Sequence, residues 1–243
     1  MINTNKQLLL AELRKQILTL QGFKPECERQ VMSFNLGELE NCFPNSVFPI
    51  GSIHEFLSYN PEQNASSEGF ICGILAKLME VGNACLWISY NRKLFPPAMQ
   101  SFGLNPQQII FIDVSREKEI LWVMEEALKC EGLAAVIAEL PDIDFAQSRR
   151  LQLAVEKSQV TGILIRKEPK RLSATACTVR WEVTTQPSEL SGGLPGVGFP
   201  HWKVKLLKVR NGNIGSFLIK WAENQFMPFE VEKVSVHTQK QTG

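Results

Sequence analysis

The chain has 243 residues, 44% apolar and 21% charged, and its 26 basic and 25 acidic side chains leave a net charge of +1. That is room for one large domain with small appendages, and enough apolar mass for a sizeable core. The near balance of charge excludes a bulk polycation, so any contact with nucleic acid has to come from a local patch. The six cysteines (Cys27, Cys42, Cys72, Cys85, Cys130, Cys177) include no Cys-x-x-Cys pair, and several lie in apolar segments where a free thiol acts as a small hydrophobe. With no signal-peptide pattern and no long apolar run, they predict a reduced, cytoplasmic protein without a membrane segment. His54, His201 and His237 stand far apart and offer no metal-ligand spacing, so no metal is expected.

Residues 1–22 read as an N-terminal helix. Leu10, Leu13, Ile17 and Leu20 recur at alternating steps of three and four, and Gly22 suits a C-cap. Such a stripe serves either a helix lying on its own domain or a docking helix for another chain. Residues 23–50 contain proline and cysteine without a clear period and read as an extended linker arm.

Residues 51–221 read as the core. Gly51-Ser-Ile-His-Glu-Phe-Leu57 has the pattern of a buried strand, residues 58–70 read as a loop, and a helix follows. That helix carries Phe70, Ile71, Ile74, Leu75, Leu78 and Met79 on one face. Strand, loop and helix form the frame of a phosphate-binding loop. That motif requires glycines for close backbone approach, a lysine for the phosphates and a Ser/Thr for magnesium. No Gly-Lys-Ser/Thr is present, and Glu62 and Glu68 would repel phosphate oxygens.

Further short apolar runs cover residues 84–89, 109–113, 134–138 (ending at Glu139) and 161–165. Between them, Ser115 is placed to cap a helix bearing Ile120, Leu121, Met124 and Leu128, with Trp122 expected in the core. Asp144 opens another helix, with Gln147 at the capping-box position. Continuous apolar strands joined by helices predict an α/β fold with a mostly parallel sheet flanked by helices.

After residue 167 the period changes. Cys177, Val179, Trp181 and Val183 alternate with polar residues, as do Trp202, Val204 and Leu206, and Asn211-Gly212 turns the chain into residues 216–221. This predicts antiparallel strands at one edge of the sheet. Residues 191–200 are rich in glycine and proline and read as a loop. Residues 222–243 read as a tail with a polar, disordered end. Within the tail, Phe226-Met-Pro-Phe-Glu230 suits either a peptide docking on a partner through Phe226 and Phe229, or a segment folding back on its own sheet.

Arg166, Lys167, Lys170, Arg171 and Arg180 form a basic cluster in sequence. Lys167, Lys170 and Arg171 are candidates for weak contact with DNA phosphates, the other reading being a solvated surface. The first aromatic nearby is Trp181, which alternation places on the buried face, so base stacking there has no support.

Several segments, in order and at matching spacing, carry a resemblance to a known family. They are Phe34-Asn-Leu-Gly-Glu-Leu39, Phe48-Pro-Ile-Gly-Ser-Ile-His-Glu-Phe56, Leu86-Trp-Ile-Ser89, Leu94-Phe-Pro-Pro97 and Phe102-Gly-Leu104. They continue with Leu121-Trp-Val-Met-Glu-Glu-Ala-Leu128, Ser148-Arg-Arg-Leu-Gln-Leu-Ala154 and Thr161-Gly-Ile-Leu-Ile-Arg166. From about residue 34 to 221 the chain resembles the RecA-type core and, more specifically, the ImuA family of SOS-mutagenesis proteins. The resemblance implies a RecA-like protein that works with an ImuB-like polymerase subunit and an error-prone polymerase in translesion synthesis.

Against that pattern, Asn91 falls where a water-activating glutamate would stand, and an amide is a poor general base. Glu139 matches the acid after the third strand, which could organise magnesium, and Arg166 stands where a glutamine sensor would be. Lys208 and Arg210 match the location from which RecA-like filaments reach a neighbour's nucleotide, the other reading being two solvated charges on an edge strand. The expectation is a non-catalytic RecA-like adaptor with no cofactor, bridging RecA and an ImuB-type subunit. It would be cytoplasmic and nucleoid-associated when DNA is damaged, with direct DNA contact left open. The alternatives are a degenerate RecA/KaiC-type ATPase and a SulA-like cell-division inhibitor.

Overall fold

The computed structural model describes residues 32–80, 83–188 and 198–229. The helix expected over residues 1–22, with Leu10, Leu13, Ile17 and Leu20, lies outside the described residues, as does the tail from residue 230.

Twelve elements frame the site. The strands are β1 (Ile53–Ser58), β2 (Ala84–Ser89), β3 (Ile109–Asp113), β4 (Leu133–Leu140), β5 (Thr161–Lys167), β6 (Val179–Gln186), β7 (His201–Val209), β8 (Gly215–Ala222) and β9 (Gln225–Pro228). The helices are α1 (Pro61–Leu78), α2 (Ile120–Ala127) and α3 (Phe145–Ser158). One sheet runs in the order β3-β2-β4-β5-β1-β6-β7-β8-β9. Its first six strands are parallel and the last three antiparallel. The mostly parallel sheet with an antiparallel extension thus stands as its apolar runs and alternations require. β1 lies at its centre and is buried along its whole length.

α1 begins earlier than its apolar stripe suggests. Asn60 caps it by accepting from the Gln63 amide at 2.8 Å, and Gln63 Oε1 accepts from the Tyr59 amide at 2.8 Å. Pro61 takes the first turn, where a missing N–H costs nothing. The segment expected as a loop over 58–70 is therefore a two-residue turn followed by helix.

The arm expected over residues 23–50 is corrected for its described part. Residues 32–50 form two short 3-10 turns, Gly37–Cys42 and Pro44–Ser46, and bury Phe34, Leu36, Leu39, Phe43 and Phe48. Glu40 Oε1 accepts from the Phe34 amide at 2.9 Å, and the Phe34 ring stacks on Phe48 at 4.1 Å. Five buried apolar side chains stabilise the fold by roughly 10 kcal/mol as an upper bound. This segment and α1 cover one face of the sheet.

α2 and α3 cover the other face over the parallel strands, around Ile53, Met124, Val136, Leu151, Val155 and Leu164. The Asp144–Gln147 capping box of α3 forms as expected, with reciprocal bonds of 2.7 and 3.0 Å. Ser115 does not cap α2. A 3-10 turn at Glu117–Glu119 precedes it, held by the Arg116–Glu119 pair. α2 buries Ile120, Met124 and Ala127, a stripe whose opposite side carries Trp122, which is 64% exposed and not in the core.

The tail is corrected in the same way. β9 pairs with β8, and Phe226, 2% exposed, packs between Phe70 at 4.8 Å and Trp221 at 5.0 Å. Its ring is core, so it presents nothing to a partner. Phe229, half-buried, lies against His201 at 4.6 Å. A Cβ at Gly73 would fall 2.4 Å from the Phe226 ring, which shows how closely α1 approaches β9.

Candidate functional site

In open parallel sheets, ligands bind beyond the carboxyl ends of the strands. Here that place is the rim formed by β1, β4, β5 and the first turns of α1, and a linked set of side chains lies there, in which Asn64 Oδ1 is buried without a hydrogen-bond partner. Lys167, ending β5, places its ammonium 2.6 Å from Glu139 of β4 and 3.2 Å from Glu68 of α1. Trp87 Nε1 donates to the other Glu139 oxygen at 2.7 Å, and Asn64 Nδ2 donates to Glu68 at 2.7 Å. The Ser58 and Ser67 hydroxyls pair at 3.0 Å beneath them.

Both carboxylates are buried. Burial holds the Glu68 carboxyl above the ordinary range, against the pull of Lys167. Burial alone would lower the Lys167 ammonium. The attraction and hydrogen bonds of Glu139 and Glu68 outweigh it and raise the group above its usual value. Two carboxylates around one ammonium leave the rim with a formal charge of −1. The adjoining turn, Tyr59–Asn60, is too short to wrap an anion, and the Gln63 and Asn64 amides are already bonded to Asn60. An internal ion triplet occupies this rim.

A second network occupies the middle of the sheet. Glu55, fully buried in β1, accepts from Arg166 Nη1 at 2.9 Å, Arg180 Nε at 2.8 Å and Thr175 Oγ1 at 2.8 Å. Arg166, itself fully buried, also donates to Asp142 at 2.9 Å and to the Pro141 and Arg171 carbonyls. Arg180 donates to the Ser173 carbonyl at 2.8 Å. The two arginines are clamps for the segment between β5 and β6.

The basic cluster expected around residue 166 is therefore corrected. Arg166 and Arg180 serve Glu55, and Lys167 serves Glu68 and Glu139, so none of the three is a free surface cation; Lys170 and Arg171 are exposed. The two expected filament cations also separate. Lys208 turns its ammonium onto the Thr175 carbonyl at 2.7 Å, and burial lowers its pKa, whereas Arg210 is exposed. β7, which carries Lys208, is flanked by β6 and β8 and is not an edge strand. Asn91 is exposed just past β2.

Reading the sequence missed the partners of Glu55 and Glu68. An acid inside an otherwise apolar strand was the available signal, since a buried charge requires a partner. His54 was also missed. Its Nδ1 accepts from Trp181 Nε1 at 3.2 Å and its Nε2 donates to the Pro49 carbonyl at 2.8 Å, and burial lowers its pKa to about 4. Burial pushes the Cys85 and Cys177 thiols up to about 12, which leaves them inert as nucleophiles.

These features define the class of the fold as RecA-like. The crystal structure of the RadB recombinase matches with a TM-score of 0.56 and 16% identity, over 82% of this chain and 100% of that one. A KaiC-like protein from Pyrococcus horikoshii OT3 matches with a TM-score of 0.54 and 14% identity, over 83% and 99% of the two chains. In sequence, the chain is similar to Protein ImuA of Caulobacter vibrioides, 29% identical over 217 residues that span 84% of this chain and 89% of the relative. That similarity supports the ImuA-family resemblance carried by the sequence segments. A shorter match, 24% over 103 residues, joins 42% of this chain to 61% of the cell division inhibitor SulA of Edwardsiella piscicida. No family model matches. No described helix is long and apolar enough to cross a membrane.

Proposed function

We propose that the protein is a non-catalytic RecA-like adaptor of the ImuA kind. In this reading it acts in SOS-induced translesion DNA synthesis and bridges RecA and an ImuB-type polymerase subunit. It is cytoplasmic and gathers at the nucleoid when DNA is damaged. It neither binds nor hydrolyses ATP.

The observation that carries the reading is the rim at β1, β4 and β5. A two-residue turn stands where a phosphate loop is needed, and Lys167 is held between Glu139 and Glu68. Glu139, the acid that could have held magnesium, is neutralised by a lysine of the same chain. A scaffold in this state keeps the surfaces of a RecA-like fold and loses the chemistry. The long similarity to Protein ImuA supports the adaptor over the SulA-like reading, whose match covers under half of the chain.

The test is co-purification of the tagged protein from cells with damaged DNA. RecA and an ImuB-like subunit are expected in the eluate, and recovery of neither contradicts the adaptor role.

A further inference from the structure

The antiparallel extension has an uneven charge that the whole-chain balance hides. Its strands β6, β7 and β8 carry five cations, Arg180, Lys203, Lys205, Lys208 and Lys220, against one acid, Glu182. One face of these strands is sealed by α1 and residues 32–48, because Trp181, Trp202, Val204, Ile219 and Trp221 alternate inward. Lys203, Lys205 and Lys220 lie on the opposite face. The α2–α3 layer packs over β1, β2, β4 and β5; residues 173–175 meet the extension's outer face at Arg180 and Lys208, and the part carrying Lys203, Lys205 and Lys220 stays open among the described residues.

Register places the cations together. Lys203 pairs with Leu218, His201 with Lys220 and Lys205 with Ser216. Lys203 and Lys220 are therefore diagonal neighbours, about 7 Å apart at the backbone, and Lys205 lies two residues along the same strand. Lys205 is held by Glu182 at 2.6 Å. Lys203 and Lys220 form no ion pair among the described residues.

We propose that this face binds the phosphodiester backbone of single-stranded nucleic acid, with Lys203 and Lys220 as the principal phosphate contacts. Lys203, Lys205 and Lys220 stand on this face with Thr184 and Ser216, around the partly buried Leu218 and Met227. Phosphate oxygens are met by just such cations and hydroxyls. At the Lys220 end of the face, Phe199 is 48% exposed two residues before His201, against which the Phe229 ring lies tilted at 4.6 Å. Ring faces there suit unstacked bases and offer nothing to a closed duplex. The site is separate from the nucleotide rim and does not depend on the adaptor reading.

The experiment is fluorescence anisotropy of a labelled oligothymidylate with the purified full chain across a salt series. Binding that weakens steeply with salt is expected. In the double variant Lys203→Gln/Lys220→Gln, affinity should fall about tenfold and the log–log salt slope by about 1.4, two single-strand contacts' worth. Phe199→Ala should weaken the single strand several-fold, and Lys170→Gln/Arg171→Gln should leave it unchanged. Thermal melting of each variant checks that the fold is intact. Unchanged affinity in the Lys203/Lys220 variant overturns the proposal. So does loss confined to the Lys170/Arg171 variant, duplex bound as tightly as single strand, or no binding at low salt.

Discussion

Lys167 sits between two buried carboxylates, and that has energetic consequences which can be measured. Removing it leaves two buried carboxylates facing each other, so Lys167→Met should cost about 3 kcal/mol in urea unfolding. Glu68→Gln removes the carboxyl whose ionisation burial opposes, and leaves Lys167 paired with Glu139. Stability at pH 7 should then fall by less than about 1 kcal/mol or rise. Equal losses in the two variants would contradict the ion-triplet account.

His54 gives a separate pH signal. Its folded pKa near 4 lies below the unfolded value, so its contribution is complete above about pH 6.5 and is lost as pH falls towards 4. The stability difference between the native chain and His54→Gln should shrink by about 3 kcal/mol from pH 7 to pH 4. A difference that stays flat with pH would mean His54 is not held neutral. Much of this residue-level detail was hidden in the sequence. The missing Gly-Lys-Ser/Thr was visible, but the pairing of Lys167 with Glu68 depends on helix α1 starting at Pro61, which brings Glu68 to the rim.

At the scale of elements, the parallel strands were legible because each is a short apolar run, and the Asp144–Gln147 box and Asn211-Gly212 turn carried their own chemistry. Three features were not. Residues 34–48 follow no period because 3-10 turns place each apolar side chain singly. The early start of α1 lay in Asn60-Pro61, a cap followed by a first-turn proline, rather than in the apolar stripe. Trp122 has apolar neighbours in sequence but lies opposite the buried stripe of α2, so composition misplaced it. The packing of β9 on α1 is testable through Gly73, whose Cβ position is already filled by the Phe226 and Trp221 rings. Gly73→Val should destabilise by about 2 kcal/mol or more through overpacking. A neutral result in thermal unfolding would show that β9 does not rest there.

At the scale of the whole molecule, the fold is RecA-like and an ion triplet occupies the rim at the carboxyl ends of its central strands. The two halves of the sheet have different outer coverings: α2 and α3 over the parallel strands, open lysine-bearing surface over the antiparallel ones. The most direct measurement is isothermal titration calorimetry of the purified chain with ATP and Mg²⁺. The account predicts no saturable heat at millimolar nucleotide. Stoichiometric binding at micromolar affinity, abolished by substitution at Glu139, would contradict it.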